Sequence, residues 1–175
     1  METQKSAFSV ALKYAIITAL ASFIFGIIMY VTNLYLNQAV SWLQYVILLA
    51  GIIFCVKDRR DKDLGGYITF GQGFSVGFLF CILTGLFSLI TSYIMISFIA
   101  PDMIEQILKM TEQSMIDKGM SDDQISMAMG MTKKMMTPVW MSVWVMFFTA
   151  FFGAILSLIV AAIMRKENSQ LQQPQ

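Results

Sequence analysis

Three long stretches of the chain contain no charged residue: Tyr14 to Val56, Leu64 to Pro101 and Met135 to Met164. A bilayer core about 30 Å thick is crossed by roughly 20 helical residues. The first stretch has 43 residues and is interrupted by Thr32-Asn33-Leu34-Tyr35-Leu36-Asn37-Gln38, so it holds two crossings, and the other two hold one each. The pattern predicts an all-α fold: a four-span transmembrane helical bundle with spans over about 14–33, 40–56, 72–100 and 138–164.

The polar segment between the third and fourth spans, 101–137, is too regular for a disordered loop. Pro101 suits a first helical turn, and Asp102 and Glu105 complement the positive end of a helix. Met103, Ile104, Ile107, Leu108, Thr111, Met115 and Ile116 repeat with helical spacing, and Gly119 supplies a stop. Ser121 with Gln124, reinforced by Asp122 and Asp123, forms a capping box that opens a second helix. That helix is lined on one face by Ile125, Met129, Thr132 and Met136, and Pro138 marks the start of the last span. An amphipathic helical hairpin between spans three and four is expected.

Nine of the fifteen methionines lie between Met103 and Met136. Methionine is flexible and polarisable, which suits surfaces that meet irregular partners. Met103, Ile107, Met115, Ile125 and Met129 are the expected contact face, toward membrane lipid or another envelope protein. The run Met127, Met129, Met131 raises copper(I), a soft ion that thioethers bind. Alternate positions on a helix point to different faces, however, and no histidine or cysteine assists, so soft packing is preferred and no metal or cofactor is assigned.

With 57% apolar and 13% charged residues in 175, residues 1–166 read as a single membrane domain rather than a soluble module with an anchor. Residues 167–175 read as a flexible cytoplasmic tail. Twelve basic against eleven acidic residues exclude the clear basic excess that nucleic-acid binding wants. The chain has no histidine, the commonest general base and metal ligand. Cys55 and Cys81 lie in apolar runs, without the companions of a disulfide framework or a zinc site. No Asp, Glu, Lys or Arg lies inside a span, which disfavours pumps and ion-coupled carriers. The ionisable residues are scattered along loops with no catalytic cluster, and the chain is read as non-enzymatic. Lys5 and Lys13 precede an apolar run with Ala19-Leu20-Ala21. That run continues to Val31, past the roughly 7–15 residues of a signal peptide's apolar region, so the segment is read as a retained span.

Basic residues near span ends mark the cytoplasmic side. Lys5, Lys13, Lys57, Arg59, Arg60, Lys62, Arg165 and Lys166 all fall on one side of a four-crossing chain. The other side has an uncharged first loop and the segment Asp102–Lys134, with four lysines against six acidic residues. Both termini are therefore expected to be cytoplasmic and the hairpin extracytoplasmic. Tyr30, Tyr35, Trp42, Tyr93 and Trp140 then mark the outer boundary, and Tyr14 and Tyr67 the inner one. Tyr45 and Trp144 lie deeper and read as core aromatics.

Spans associate through close backbone approach at small residues. Gly73, Gly77, Cys81 and Gly85 form such a packing face on the third span, beside a polar-small line of Thr84, Ser88 and Ser92. Ala15, Ala19, Ser22 and Gly26 mark the first span, and Gly153, Ser157 and Ala161 the fourth. These faces hold either the four helices of one protomer or a homodimer seam, and the former is preferred. The glycine-rich Gly65–Phe74 lacks the strand-turn-helix context of a phosphate loop and reads as the lead-in to the third span.

Four segments together are distinctive: Gly65-Gly66-Tyr67-Ile68-Thr69-Phe70-Gly71-Gln72, Ala100-Pro101-Asp102, Gly119-Met120-Ser121 and Thr137-Pro138. From about Ser6 to Lys166 the chain resembles the domain-of-unknown-function family four-one-nine-nine, small four-span proteins found mainly in Bacteroidota. The resemblance implies a bacterial inner (cytoplasmic) membrane location and this architecture, and brings no activity, substrate or catalytic residue. The expected role is a non-enzymatic scaffold or interaction protein using the hairpin. The alternative is a passive channel or transporter subunit formed by oligomerisation, although the spans carry no polar line long enough to cross the membrane.

Overall fold

The computed structural model describes residues 6–166; Lys5 and the tail 167–175 lie outside the described residues. The fold is all-α. In chain order it comprises α1 (Ala7–Val31), a 3-10 turn (Leu34–Leu36), α2 (Gln38–Ser41), α3 (Leu43–Asp58) with a π-helical turn (Arg59–Asp63), α4 (Phe70–Ile94) with a π-helical turn (Met95–Ile99), α5 (Met103–Asp117), α6 (Asp122–Met135) and α7 (Pro138–Met164).

Helix starts follow from local chemistry. The Ser6 hydroxyl accepts the Ser9 N–H at 3.2 Å and opens α1. Thr69 and Gln72 close a reciprocal capping box on α4, satisfying amide groups that a helix start leaves orphaned. Thr137 caps α7, with Pro138 in its first turn. In the hairpin, the Ser121 N–H donates to Gln124 Oε1 at 3.1 Å. Gly119 ends the α5 arm at φ +72°, a left-handed conformation that suits glycine. Helix α5 begins at Met103, with Asp102 as its cap and Pro101 in the preceding turn. Helix α6 ends at Met135, so Met136 is its C-cap rather than a member of its face.

Three helical segments are long and apolar enough to cross a membrane: Ala7–Val31, Phe70–Ile99 and Pro138–Met164. The region expected to form the second of four spans, 40–56, is divided. Asn33 takes a left-handed φ of 56°, Asn37 is extended, and α2 stops at Ser41 before α3 begins. The polar break therefore reaches to Trp42, leaving α3 with 16 α-helical residues, about 24 Å at 1.5 Å per residue.

Helix α4 is the centre of the bundle, packed along α7 and against α1, while α3 leans on α1, α7 and α4. The core is densest at the end where α3 finishes and α4 begins: Val10, Ile52, Val56, Val76 and Phe80 are buried there. At that end Ile68 and Lys166 exchange two backbone hydrogen bonds of 2.9 Å, and the Lys166 ammonium lies 5.4 Å from the Tyr67 ring centroid. Arg59 pairs with Asp63 at 3.3 Å and Lys62 with Asp58 at 2.5 Å. Tyr14, on α1, lies against Asp58. Basic residues from three separate segments thus share one end of the bundle, opposite the α5–α6 hairpin.

Candidate functional site: a neutral cavity under the hairpin

The small-residue faces of α4 and α7 meet. A Cβ on Gly73 would stand 3.3 Å from the Ala161 Cβ, and one on Gly153 2.6 Å from the Cys81 sulfur. Gly77 faces the buried Ser157 hydroxyl, and a Cβ on Gly85 would lie 3.2 Å from the Met146 carbonyl oxygen. The packing face Gly73, Gly77, Cys81 and Gly85 is therefore occupied by α7 of the same chain. Only glycine and alanine-sized groups permit this approach.

On α1 the small residues divide. Ala15 and Ala19 are buried, whereas a Cβ on Gly26 would meet no atom within 4 Å. Gly26 and Ser22 face a cavity of about 760 Å³ instead, which is walled by all four long helices and reaches the hairpin. Phe25 and Met29 of α1, Leu48 of α3, Met95 after α4, and Val145 and Phe148 of α7 form its apolar wall. Tyr45 and Trp144, read from sequence as core aromatics, stand on this wall. Tyr45 meets Phe152 edge-on at 5.4 Å and Trp144 stacks on Phe148 at 5.6 Å.

The polar groups on the wall are uncharged and most are already engaged. Gln44 Nε2 donates to Ser22 Oγ at 2.7 Å, joining α3 to α1. The Thr84 hydroxyl donates to the Phe80 carbonyl at 2.8 Å, and Thr132 to Ala128 at 2.8 Å. Such back-bonding satisfies the hydroxyl proton within its own helix and leaves oxygen lone pairs able to accept. Among the described residues, no charged side chain lines this cavity.

Met103, Thr132, Met135 and Met136 of the hairpin roof the cavity. A chain of side-chain hydrogen bonds moors the hairpin to the break after α1. The Tyr30 hydroxyl donates to Asp102 Oδ1 at 2.5 Å, Gln106 Nε2 donates to Asp102 Oδ2 at 2.5 Å, and the Tyr35 hydroxyl donates to Gln106 Oε1. The Tyr30 hydrogen bond holds the Asp102 carboxyl below the usual carboxylate range. Loss of hydration, then the nearby Asp102 charge, pushes the Tyr35 phenol up. A second cavity, of about 480 Å³, lies beside the first and shares Tyr35 and Ser41 with it. Its other walls come from α5, through Ile107, Met110, Thr111, Ser114 and Met115, with Lys118 at the arm's end.

The five residues expected to form the hairpin's contact face lie on its inward side. Met103 lines the larger cavity and Ile107 and Met115 the smaller, while Ile125 and Met129 are buried. The apolar side chains the hairpin exposes are Met110, Ile116, Met127, Met131 and Met135. Met127 and Met131 are 71% and 66% exposed against 6% for Met129, so the three thioethers of that run do not converge. The cavity itself was not read from the sequence. Its only sequence trace is that Ser22, Gly26, Thr84 and Ser88 continue the small-residue faces with polar or missing side chains.

A comparison with curated proteins and with solved structures finds no match. The family model of the proteins of unknown function called DUF4199 matches residues 13–166, nearly the whole described chain. The chain belongs to the DUF4199 family.

Proposed function

We propose that this chain is a non-enzymatic, multi-pass protein of the bacterial inner membrane, whose extracytoplasmic hairpin is an interaction surface for lipid or another envelope protein. The carrying observation is the hairpin itself. It has a capping box at the α5–α6 turn, is moored through Tyr30–Asp102 and Tyr35–Gln106, and presents Ile116, Met127 and Met131 to its surroundings. Exposed methionines adapt to varied partners at low cost.

Four crossings are supported by length. Gln38 to Asp58 is 21 residues, about 31 Å of helix at 1.5 Å per residue, enough for a core of about 30 Å if α2 and α3 act together. The clustering of Lys57, Arg59, Arg60, Lys62, Arg165 and Lys166 at the end opposite the hairpin favours cytoplasmic termini. The rival reading, a passive channel oligomerised along the α4 glycine face, is disfavoured because α7 fills that face. A homodimer would need another surface.

Photo-crosslinking residues placed at Ile116, Met127 and Met131 in intact cells test the reading. A discrete protein adduct, or lipid labelling stronger than from Leu20 or Phe54 on the exposed sides of α1 and α3, is expected. Labelling indistinguishable from those two positions overturns it.

A further inference from the structure

We infer that the cavity under the hairpin binds a single hydrocarbon chain, the acyl chain of a lipid or a free fatty acid, with the hairpin as its roof. This rests on the membrane reading above. Helical bundles are close-packed and voids larger than a water molecule are few. A cavity of about 760 Å³ is instead the size of a ligand site.

The chemistry of the wall selects the occupant. Phe25, Met29, Leu48 and Val145 offer dispersion contacts, and no charged side chain is present to pair with an ion. Gln44 and Ser22 are joined by one hydrogen bond, and the Thr84 hydroxyl proton is taken up within its own helix. Water needs two to four polar partners to occupy a buried site stably, and here the wall groups are mostly apolar or engaged. A hydrocarbon chain needs none.

Depth agrees. On α1 the cavity runs from Met29 down to Ser22, seven residues or about 10 Å of helix. That is about a third of a 30 Å hydrocarbon core, within the depth of one leaflet. At its hairpin end the cavity adjoins the second one, where the Tyr35, Ser41, Thr111 and Ser114 hydroxyls and the Lys118 ammonium gather. Apolar depth continuing into a more polar mouth, where Ile107, Met110 and Met115 stand beside these groups, is the profile of an amphiphile. The surrounding lipid is as apolar as the wall, so exclusion from water is not what drives entry. The gain is restored contact for wall atoms that otherwise face a void. Met103, Met135 and Met136 above it can reshape around chains of different form.

Trp144 reports on this site. In protein carrying Trp42→Phe and Trp140→Phe it is the sole tryptophan, and bromine atoms on an acyl chain quench it at short range. The purified protein in micelles is titrated with brominated fatty acid and, separately, with brominated phosphatidylcholine. Saturable quenching is expected at about one equivalent, and filling the void by Gly26→Leu should weaken it by about tenfold or more by taking the volume that the chain's contacts need. Ser88→Leu fills it from α4, should Gly26→Leu misfold. Saturation by phospholipid alone identifies a bilayer lipid, and by fatty acid alone a free acid; both uphold the chain site. Linear quenching that the filling variants leave unchanged overturns it. Hairpin crosslinking can fail while Trp144 quenching still saturates, so this site and the interaction role are tested separately.

Discussion

A close approach of α7 to α4 at Gly153 gives the sharpest test of the fold. Gly153→Ala places a Cβ 2.8 Å from the Cys81 Cβ and 2.6 Å from its sulfur. Carbon atoms prefer about 3.5–4.0 Å, and a Cβ–Cβ overlap cannot be relieved by turning a side chain. Helices α4 and α7 must separate locally by up to about 1 Å, an overpacking cost of about 1–3 kcal/mol. Cys81→Gly removes both clashing atoms and leaves the Cys81 Cα, 3.9 Å away, as the nearest neighbour. On its own that change costs about 0.3 kcal/mol of helix propensity plus the lost packing of a buried thiol. Combined, the two should be less destabilising than their sum by about 1–2 kcal/mol, within the range of contacting pairs. Gly26→Ala is the control. No atom lies within 4 Å of its new Cβ, so it should be neutral, or stabilising by up to about 1 kcal/mol. Unfolding in mixed micelles by titration with SDS, followed by circular dichroism, measures all four variants. Strict additivity of Gly153→Ala and Cys81→Gly, or a Gly153→Ala as harmless as Gly26→Ala, would refute the α4–α7 interface described above.

Asp102 makes the hairpin mooring dependent on pH. Its folded-state pKa is depressed, chiefly by the Tyr30 hydrogen bond, so its contribution is present above the ordinary carboxylate pKa and fades as pH falls through the lower folded value. Hydrogen exchange of the α5 amides should be unchanged between neutral pH and about 5 after correction for intrinsic rates, and should rise once the carboxylate protonates near or below 4. Asp102→Asn should show the faster exchange already at neutral pH. Gly119→Ala forces a side chain into φ +72° and should destabilise the hairpin by about 1–2 kcal/mol, seen as faster proteolysis after Lys118 with the spans unaffected. A cysteine at Asp123 should react with an impermeant maleimide in intact cells and one at Arg60 only after permeabilisation; the reverse pattern would invert the proposed orientation. Cys55 and Cys81 are buried and should give little background in that assay.

Much of the fold was legible because its elements depend on local rules. The capping box at Ser121 and Gln124, the stop at Gly119, the start at Pro138 and the three long apolar helices all follow from residue types and spacing. The division of α2 from α3 was less legible, since apolar composition from Val40 to Val56 is nearly continuous and the interruption is the single turn residue Trp42. The direction of the hairpin was hardest. A helix with apolar residues on more than one side, such as α6 with Ile125 and Met129 inward and Met127 and Met131 outward, has no sequence signal that says which set the fold takes. Ser22, Gly26, Thr84 and Ser88 show the same ambiguity, because small or polar residues at four-residue spacing fit both helix contact and a cavity wall.

That ambiguity resolves along the bundle axis. Toward the basic end, Gly73 meets Ala161, Gly77 meets Ser157 and Gly153 meets Cys81, and Val10, Ile52, Val56 and Val76 leave almost no exposed surface. Toward the hairpin the wall is built from Ser22, Gly26, Gln44, Thr84 and Ser88 with flexible methionines above, and the helices stand apart around a partly open cavity. Close packing holds one arrangement because every displacement loses many contacts at once, whereas a void roofed by methionines tolerates several. The basic end therefore acts as a fixed root and the hairpin end as the adaptable part of the molecule. Tyr35, which moors Gln106 of the hairpin, lines both cavities, so whatever enters the larger cavity bears directly on how the hairpin is held.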